Sequence, residues 1–405
     1  MYDVNELFAA ALGLNIPYQV KKVEFNLEEG VLHIHIHFPR GSEFPCPVCG
    51  NPCKVRDTKA HQWRHLNFFE HKTYLHANVP RIDCPRCGVK TVKVPWSRPE
   101  SGFTLLFEAF TLALCKRMPV KSVADTVGEH DTRIWRMVER YVEKSRSFVD
   151  MSDVNELGVD ETSIKPGHNY VSVFADIRKK RVLFVVEGKD KRTFDEFSGE
   201  LSNHNGDPSG IQTICMDMSP SFIEGALERF PNANITFDRF HVTKLANDAV
   251  DQIRRAEARM NDLLRNTRFI WLKRPENLTE RQREKASMLQ MLNFATARAY
   301  QMKLNLLELW EMPDRESASA HLESWYQWVA SSDIGSSMKR LANTIKAHAA
   351  RILNYFPDHL TSGLMEGINS LIQAAKAKAR GYRNPRYLKT IIYLIAGKLD
   401  FGLPV

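Results

Sequence analysis

Four cysteines and three carboxylates are the side chains of this chain whose types and spacing best suit chemistry. The cysteines fall in two matched knuckles, Cys46-Pro-Val-Cys49-Gly and Cys84-Pro-Arg-Cys87-Gly. In each, two thiols stand three residues apart and a glycine follows, allowing the tight turn whose backbone amides point at sulfur. Four such thiolates close a tetrahedral site around one Zn²⁺, and a closed site is structural rather than catalytic. The 34 residues between the knuckles exceed the usual finger loop, and a ribbon with a β-hairpin insert accommodates them. Cys53 reads as a spare thiol or an exchange ligand. His61 and His65 in HQWRHL read as structural or DNA-facing side chains.

The carboxylates are Asp160, Asp217 and Glu366. Asp160 ends the strand-like stretch LGVD and Asp217 ends IQTICMD. Carboxylates at the ends of neighbouring strands can meet at one edge of a sheet, and their oxygens suit hard divalent cations such as Mg²⁺ or Mn²⁺. Glu366 lies early in a late helical stretch, with Asn369 and Gln373 at i+3 and i+7 on its face. Ile368, Leu371 and Ala375 fall on another face and can pack. Two ions held roughly 3.5–4 Å apart activate a water or a 3′ hydroxyl and steady the leaving oxygen, which is phosphodiester chemistry. A lone aspartate at a strand end is more often a cap or a turn residue, so order and context must carry the reading.

The elements that would position these groups follow from periodicity. Residues 18–38 alternate as strands, with Leu32, Ile34, Ile36 and Phe38 facing one way and His33, His35 and His37 the other. Those three histidines offer a metal site or, more simply, a polar face in solvent. The stretch 101–148 is helical, with Phe103, Leu106, Phe107, Phe110 and Leu114 on one predicted buried face. Met118-Pro119 breaks it, a short helix near 120–127 stops at Gly128, and a third helix runs through Ile134, Val138 and Tyr141. Its arginines Arg133, Arg136 and Arg140 could meet a major groove or line an ordinary solvated face. From 157 to 240 the pattern is three strands, helix, strand, helix, strand, helix, and 241–360 is almost wholly helical. Further helices are expected near 362–380 and 385–398. Trp310, Trp325, Tyr326 and Trp328 in the helical block read as core aromatics in preference to a base-stacking platform.

The chain has 405 residues, a formal charge of +8, 43% hydrophobic and 26% charged residues. Those are the proportions of ordinary globular domains, and no apolar run approaches the roughly 20 residues of a membrane span. The N-terminal stretch lacks a basic segment before its apolar part, so a bacterial cytoplasmic or nucleoid location is expected. Basic balance favours polyanions without specifying DNA. Much of it gathers in Lys376, Lys378, Arg380, Arg383, Arg386 and Lys389, a run without an acid that suits a phosphate backbone.

Taken together, CPVCG…RIDCPRCG, GVDETSIKPGHNYVSVFAD, ICMDMSPSFIEG, FPNANITFDRFHVTKLAN and GLMEGINSLIQAAKAKARGYRN resemble insertion-sequence transposases of the ISL-three family, in the DDE class. The resemblance runs in the family's order from Cys46 to Asn384. It implies an α/β RNase H-like catalytic domain with an all-α insertion, preceded by a zinc ribbon and a helix-turn-helix. The implied boundaries are 1–44 for an N-terminal strand region, 45–98 for the ribbon and 99–150 for the helix-turn-helix. The catalytic domain would occupy 151–240 and 361–405, interrupted by a helical insertion over 241–360. Asp160, Asp217 and Glu366 match the family's catalytic triad and would hold two Mg²⁺ ions. Asp238 and His241 in DRFH match a further signature, with support of the metal site or a helix cap and packed histidine as the two readings, and Asn369 joins the supporting set. Glu161 would turn to the opposite side of its strand. The expected activity is binding of terminal inverted repeats, strand cleavage and strand transfer, by at least a dimer on DNA. Rivals are a regulator that only binds DNA, a nuclease of the same fold that does not join strands, and a zinc-ribbon scaffold for RNA processing.

Overall fold

Alternation at the strand period and glycine-bearing turns build the first elements. The computed structural model describes residues 3–165, 169–356 and 363–404. Helix α1 (Val4–Ala11) precedes β1 (Gln19–Asn26), β2 (Val31–His37), β3 (Glu43–Pro45), β4 (Pro52–Phe68), β5 (His71–Cys84) and β6 (Gly88–Thr91). They form one sheet in the order β1-β2-β5-β4-β3, with β6 on β5. Leu32, Ile34 and Ile36 bury one face of β2, as alternation requires. The opposite face is not simply solvated. Pairing of β2 with β5 brings in His76, whose Nε2 lies 2.9 Å from His33 Nδ1, while His35 sits 3.0 Å from Glu24. Burial lowers the His76 imidazole to about 4, so the ring is neutral at pH 7.

Three helices follow: α2 (Leu105–Cys115), α3 (Val120–Val127) and α4 (Asp131–Arg146). Thr104 caps α2, and Gly128 ends α3 at φ +68°, a left-handed conformation glycine adopts without steric cost. The buried face of α2 is Phe107, Glu108, Thr111, Leu112 and Cys115, so Phe110 is half exposed, contrary to the expected apolar stripe. The stripe turns because Glu108 goes inward, where it accepts from Arg98 (2.9 Å), Ser101 (2.8 Å) and Tyr141 of α4 (2.5 Å). A buried carboxylate with three donors is satisfied, and this one ties α2 to α4. These elements and Leu399–Val405 form one compact unit, Met1–Arg146 with that tail, and Ser147–Lys398 form another.

The second unit begins with β7 (Glu156–Lys165), β8 (Asn169–Asp176), β9 (Arg181–Glu187), α5 (Arg192–Asn203), β10 (Thr213–Met216), α6 (Pro220–Arg229) and β11 (Asn234–Phe237). The sheet order is β9-β8-β7-β10-β11, antiparallel among β7, β8 and β9 and parallel across β7, β10 and β11. Helical elements follow: α7 (Arg239–Glu257), α8 (Arg268–Leu272), α9 (Glu280–Met291), α10 (Ala295–Glu308), α11 (Arg315–Ser331), α12 (Ser336–Ala347) and α13 (Ala349–Leu353). Phe174, Phe194, Phe197 and Phe230 join Trp271, Tyr300 and Trp325 in one hydrophobic core running from the sheet into these helices. Trp325 is buried and donates Nε1–H to the Met302 carbonyl (2.8 Å), and Trp310 and Tyr326 pack against the same core. Trp328 is 40% exposed.

The last helices are α14 (Gly363–Lys378) and α15 (Pro385–Ala396). α14 lies on β7 with Met365, Ile368 and Ile372 buried, whereas Leu371, expected to pack, is half exposed. Gly158 makes the approach possible, because a Cβ there would stand 2.7 Å from Met365 Sδ. Asp160 does not end its strand as expected. β7 continues to Lys165 because β8 pairs with it throughout, while its pairing with β10 stops at Gly158.

Gly158→Ala is expected to destabilise the chain by about 1–3 kcal/mol through overpacking against α14. Combined with Met365→Ala, the cost in urea unfolding should fall below the sum of the two single changes. Strict additivity would show that the two positions are not in contact.

Candidate functional site

Parallel register sets three aspartates level with one another. Cys215 of β10 pairs with Gly158 of β7, so two residues onward Asp217 comes level with Asp160. Met216 pairs with Phe237 of β11, so Asp238 comes level with Asp217. Asp160 is half-buried, Asp217 half-buried and Asp238 buried. Burial, with Asp217 and Asp238 as like-charged neighbours, pushes the Asp160 carboxyl up to about 6, against the opposing effects of the Glu161 amide and His241. The Glu161 N–H donates to Asp160 Oδ1 at 2.7 Å, and the Glu161 side chain points instead toward Lys189, 3.9 Å away.

Helix α14 closes the site from the other side. Asn369 donates to Asp160 Oδ2 at 2.5 Å, Gln373 donates to Thr162 at 2.8 Å, and Lys376 donates to the Ser163 carbonyl. These contacts step along β7 from Asp160 through Thr162 to Ser163 while spaced at the helix period on α14, so one face of α14 is keyed to the strand. Glu366 precedes Asn369 by one turn on that face and is exposed. Gln373 lies on the helix face that the sequence assigns it, whereas its partner Thr162 is not singled out by the sequence; the alternation of Gly158, Asp160 and Thr162 on one strand face is the signal that finds it.

Asp238 and His241 behave as a capping pair. Asp238 Oδ1 accepts the Phe240 N–H (2.9 Å) at the start of α7, and its other oxygen lies 3.8 Å from His241 Nε2. Both also act on Asp160, Asp238 raising its carboxyl and His241 lowering it. The donor set around Asp160 is oxygen, which suits Mg²⁺ or Mn²⁺. Asn369 Oδ1 is buried beside it without a hydrogen-bond partner, an acceptor a cation or its hydration water would satisfy.

The cysteines assemble tightly. Sγ atoms of Cys46, Cys49, Cys84 and Cys87 all lie within 4.8 Å of one another, the only such group of three or more metal-ligating residues among the described residues. Tetrahedral Zn²⁺ with bonds of about 2.3 Å fits that spacing. The Arg86 amide lowers the Cys84 thiol to about 6, and the Cys49 and Val48 amides lower Cys46, as the knuckle geometry anticipates. Cys53 lies outside the group and its Sγ contacts the Asn51 carbonyl at 3.4 Å.

The basic side chains divide. Arg133, Arg136 and Arg140 are exposed along α4, with Arg133 stacked on Phe103 (4.3 Å) and paired with Glu129. Lys378, Arg380, Arg383 and Arg386 are exposed. Lys376 differs from the expected phosphate contact, since its ammonium is held by Ser163 and by Gln373 (3.2 Å). Lys389 pairs with Glu187 at 3.1 Å. His65 is drawn into structure by Thr104 (2.9 Å), and burial lowers it to about 4.

Comparison with known proteins matches three parts of the chain. A DDE model of the ISL3 family, described as "Transposase", matches residues 157–392. The helix-turn-helix domain of transposase family ISL3 matches 92–142, and the zinc-finger of transposase IS204/IS1001/IS1096/IS1165 matches 42–87. The transposase for insertion sequence element IS1557 of Mycobacterium tuberculosis is 28% identical, covering 96% of this chain and 94% of its own length. The transposase for insertion sequence element IS1001 of Bordetella parapertussis is 25% identical, covering 91% and 93%.

One zinc per chain is expected by elemental analysis of the purified protein. Cys84→Ser should lose it and Cys53→Ser should keep it; loss in the Cys53 variant would place the fifth cysteine among the ligands.

Proposed function

This chain belongs to the ISL3 family of insertion-sequence transposases, and on that premise we propose that it binds its element's terminal inverted repeats and cuts and rejoins DNA at Asp160, Asp217 and Glu366. The observation that supports this most directly is the row of level aspartates, Asp160 within β7 and Asp217 and Asp238 just past the ends of β10 and β11, with α14 keyed to Asp160 through Asn369. The order β9-β8-β7-β10-β11 is the reason for reading the sheet as RNase H-like, and the run of helices α7–α13 between β11 and α14 is read as its all-α insertion. The domain limits proposed are those given by the sequence, with two departures: residues 147–150 group with the second unit and Leu399–Val405 with the first.

Asp160, Asp217 and Glu366 would hold two divalent ions, Mg²⁺ or Mn²⁺, with Asp238 and His241 in support. Bound there, the ions supply charge neutralisation at the attacked phosphate and a more acidic water or hydroxyl nucleophile. Asn369 orients the Asp160 carboxylate, and Gln373 and Lys376 hold the helix in register. In cleavage a water oxygen bonds to phosphorus and the P–O3′ bond breaks. The freed 3′ hydroxyl then attacks a target phosphate, its oxygen bonding to phosphorus as the target's P–O3′ bond breaks and leaves a target 3′ hydroxyl, so no covalent protein–DNA bond is needed. Arg133, Arg136 and Arg140 on α4 would face terminal-repeat DNA, and Lys378, Arg380, Arg383 and Arg386 would follow phosphates near the site. Joining two element ends calls for at least a dimer on DNA. Among the described residues no helix is long and apolar enough to cross a membrane.

Purified protein with Mn²⁺ or Mg²⁺ and DNA carrying the element's ends should cleave and join strands. Asp217→Ala should lower both rates on the order of a thousandfold while end binding survives. Cleavage without joining would favour a nuclease, and binding without cleavage in the native chain would leave a DNA-binding regulator.

A further inference from the structure

Between Asp251 and Arg274 seven basic residues accompany three acids, on the corner where α7 ends and α8 begins. Three of the seven meet at one buried carboxylate. Asp251 Oδ1 takes Arg254 at 2.7 Å, and Oδ2 takes both Arg255 at 2.6 Å and Arg268 at 3.6 Å. The Asp251 side chain is 6% exposed and that of Arg254 11%. That inner pair is charge-balanced.

Arg255 and Arg268 are therefore surplus to the needs of the carboxylate. Their side chains are 62% and 52% exposed, each guanidinium carries five donors, and contact with a single oxygen uses few of them. Two guanidiniums gathered on one oxygen repel each other, and an anion on the open side relieves that repulsion. Acids nearby in sequence are otherwise engaged: Glu257 accepts the Ala295 and Thr296 amides at 2.9 Å, and Asp262 pairs with Arg265 at 3.0 Å. Arg255, held by Asp251 at 2.6 Å, and Arg268 beside it at 3.6 Å place two forked donor sets side by side, a spacing that fits the non-bridging oxygens of a phosphodiester.

We propose that Arg255 and Arg268, gathered on one oxygen of Asp251, form a phosphate-binding site for the backbone of duplex DNA on the helical segment. It rests on the reading of this chain as a DNA-handling transposase, but uses none of the groups assigned to cleavage. Contact with phosphate rather than bases makes it indifferent to sequence, so it adds hold on DNA without adding recognition.

The test is equilibrium binding of the full chain to a duplex of arbitrary sequence across a range of salt. Arg255→Gln with Arg268→Gln should reduce the slope of log affinity against log salt by about two and weaken binding roughly tenfold at low salt. Arg192→Gln with Arg229→Gln, a loss of equal charge elsewhere on the same unit, should leave the slope unchanged. An unchanged slope in the first variant, or an equal fall in both, overturns the proposal. Should the double variant unfold, Arg255→Gln alone removes an exposed side chain, and a slope lower by about one supports the site while no change refutes it. Metal-dependent cleavage by the native chain is read separately, so failure here and failure of the transposase reading are distinct results.

Discussion

The parallel register of β7, β10 and β11 is the constraint on which the candidate site depends. Three aspartates far apart in sequence become level only because Cys215 pairs with Gly158 and Met216 with Phe237. A one-residue slip in a strand would turn its aspartate to the other face. The cost of the arrangement is visible at Asp160, whose carboxyl is pushed up to about 6 by burial and by its neighbours. Most of the remaining second unit can be understood as holding that register. The aromatic core behind the sheet fixes the strands, and α14 is fixed in turn by Gly158, Asn369, Gln373 and Lys376.

Much of this was legible in the sequence because it rests on local signals. The CPxCG knuckles, Gly128 at a helix end and Asp217 just past the end of β10 each carry their own geometry. The order of strands and helices from 157 to 240 also follows from local periodicity. What was not legible depends on partners distant in the chain. Asp160 looked like a strand end because nothing local reveals that β8 sustains β7 to Lys165 after β10 has stopped pairing with it. Phe110 looked buried because apolar spacing cannot foresee that Glu108 turns inward to meet Tyr141 of a later helix. The histidines of β2 looked solvated because His76 arrives from β5, 43 residues from His33. Lys376 reads locally as one more cation in a basic run, and its contacts with Ser163 and Gln373 come only from the fold.

The cysteine group and the carboxylate site differ in donor type. Sulfur ligands in the knuckles suit Zn²⁺ and close a structural site, while the oxygen donors around Asp160 suit harder cations that exchange water and bind phosphate. That division matches the family's separate ribbon, helix-turn-helix and DDE segments. Positive charge is distributed rather than concentrated: exposed arginines on α4, the run after α14, and the Asp251 cluster each present guanidiniums to solvent.

The central claim is that segments of β7, β10 and α14 share one divalent-metal centre. Fe²⁺ loaded in place of Mg²⁺, followed by peroxide, cuts a polypeptide where it lies close to the bound ion. Mapped by mass spectrometry, the breaks should cluster around Asp160, Asp217 and Glu366, and excess Mg²⁺ should suppress all three together. Breaks that spare Glu366, or that fall elsewhere and ignore Mg²⁺, would contradict a shared centre.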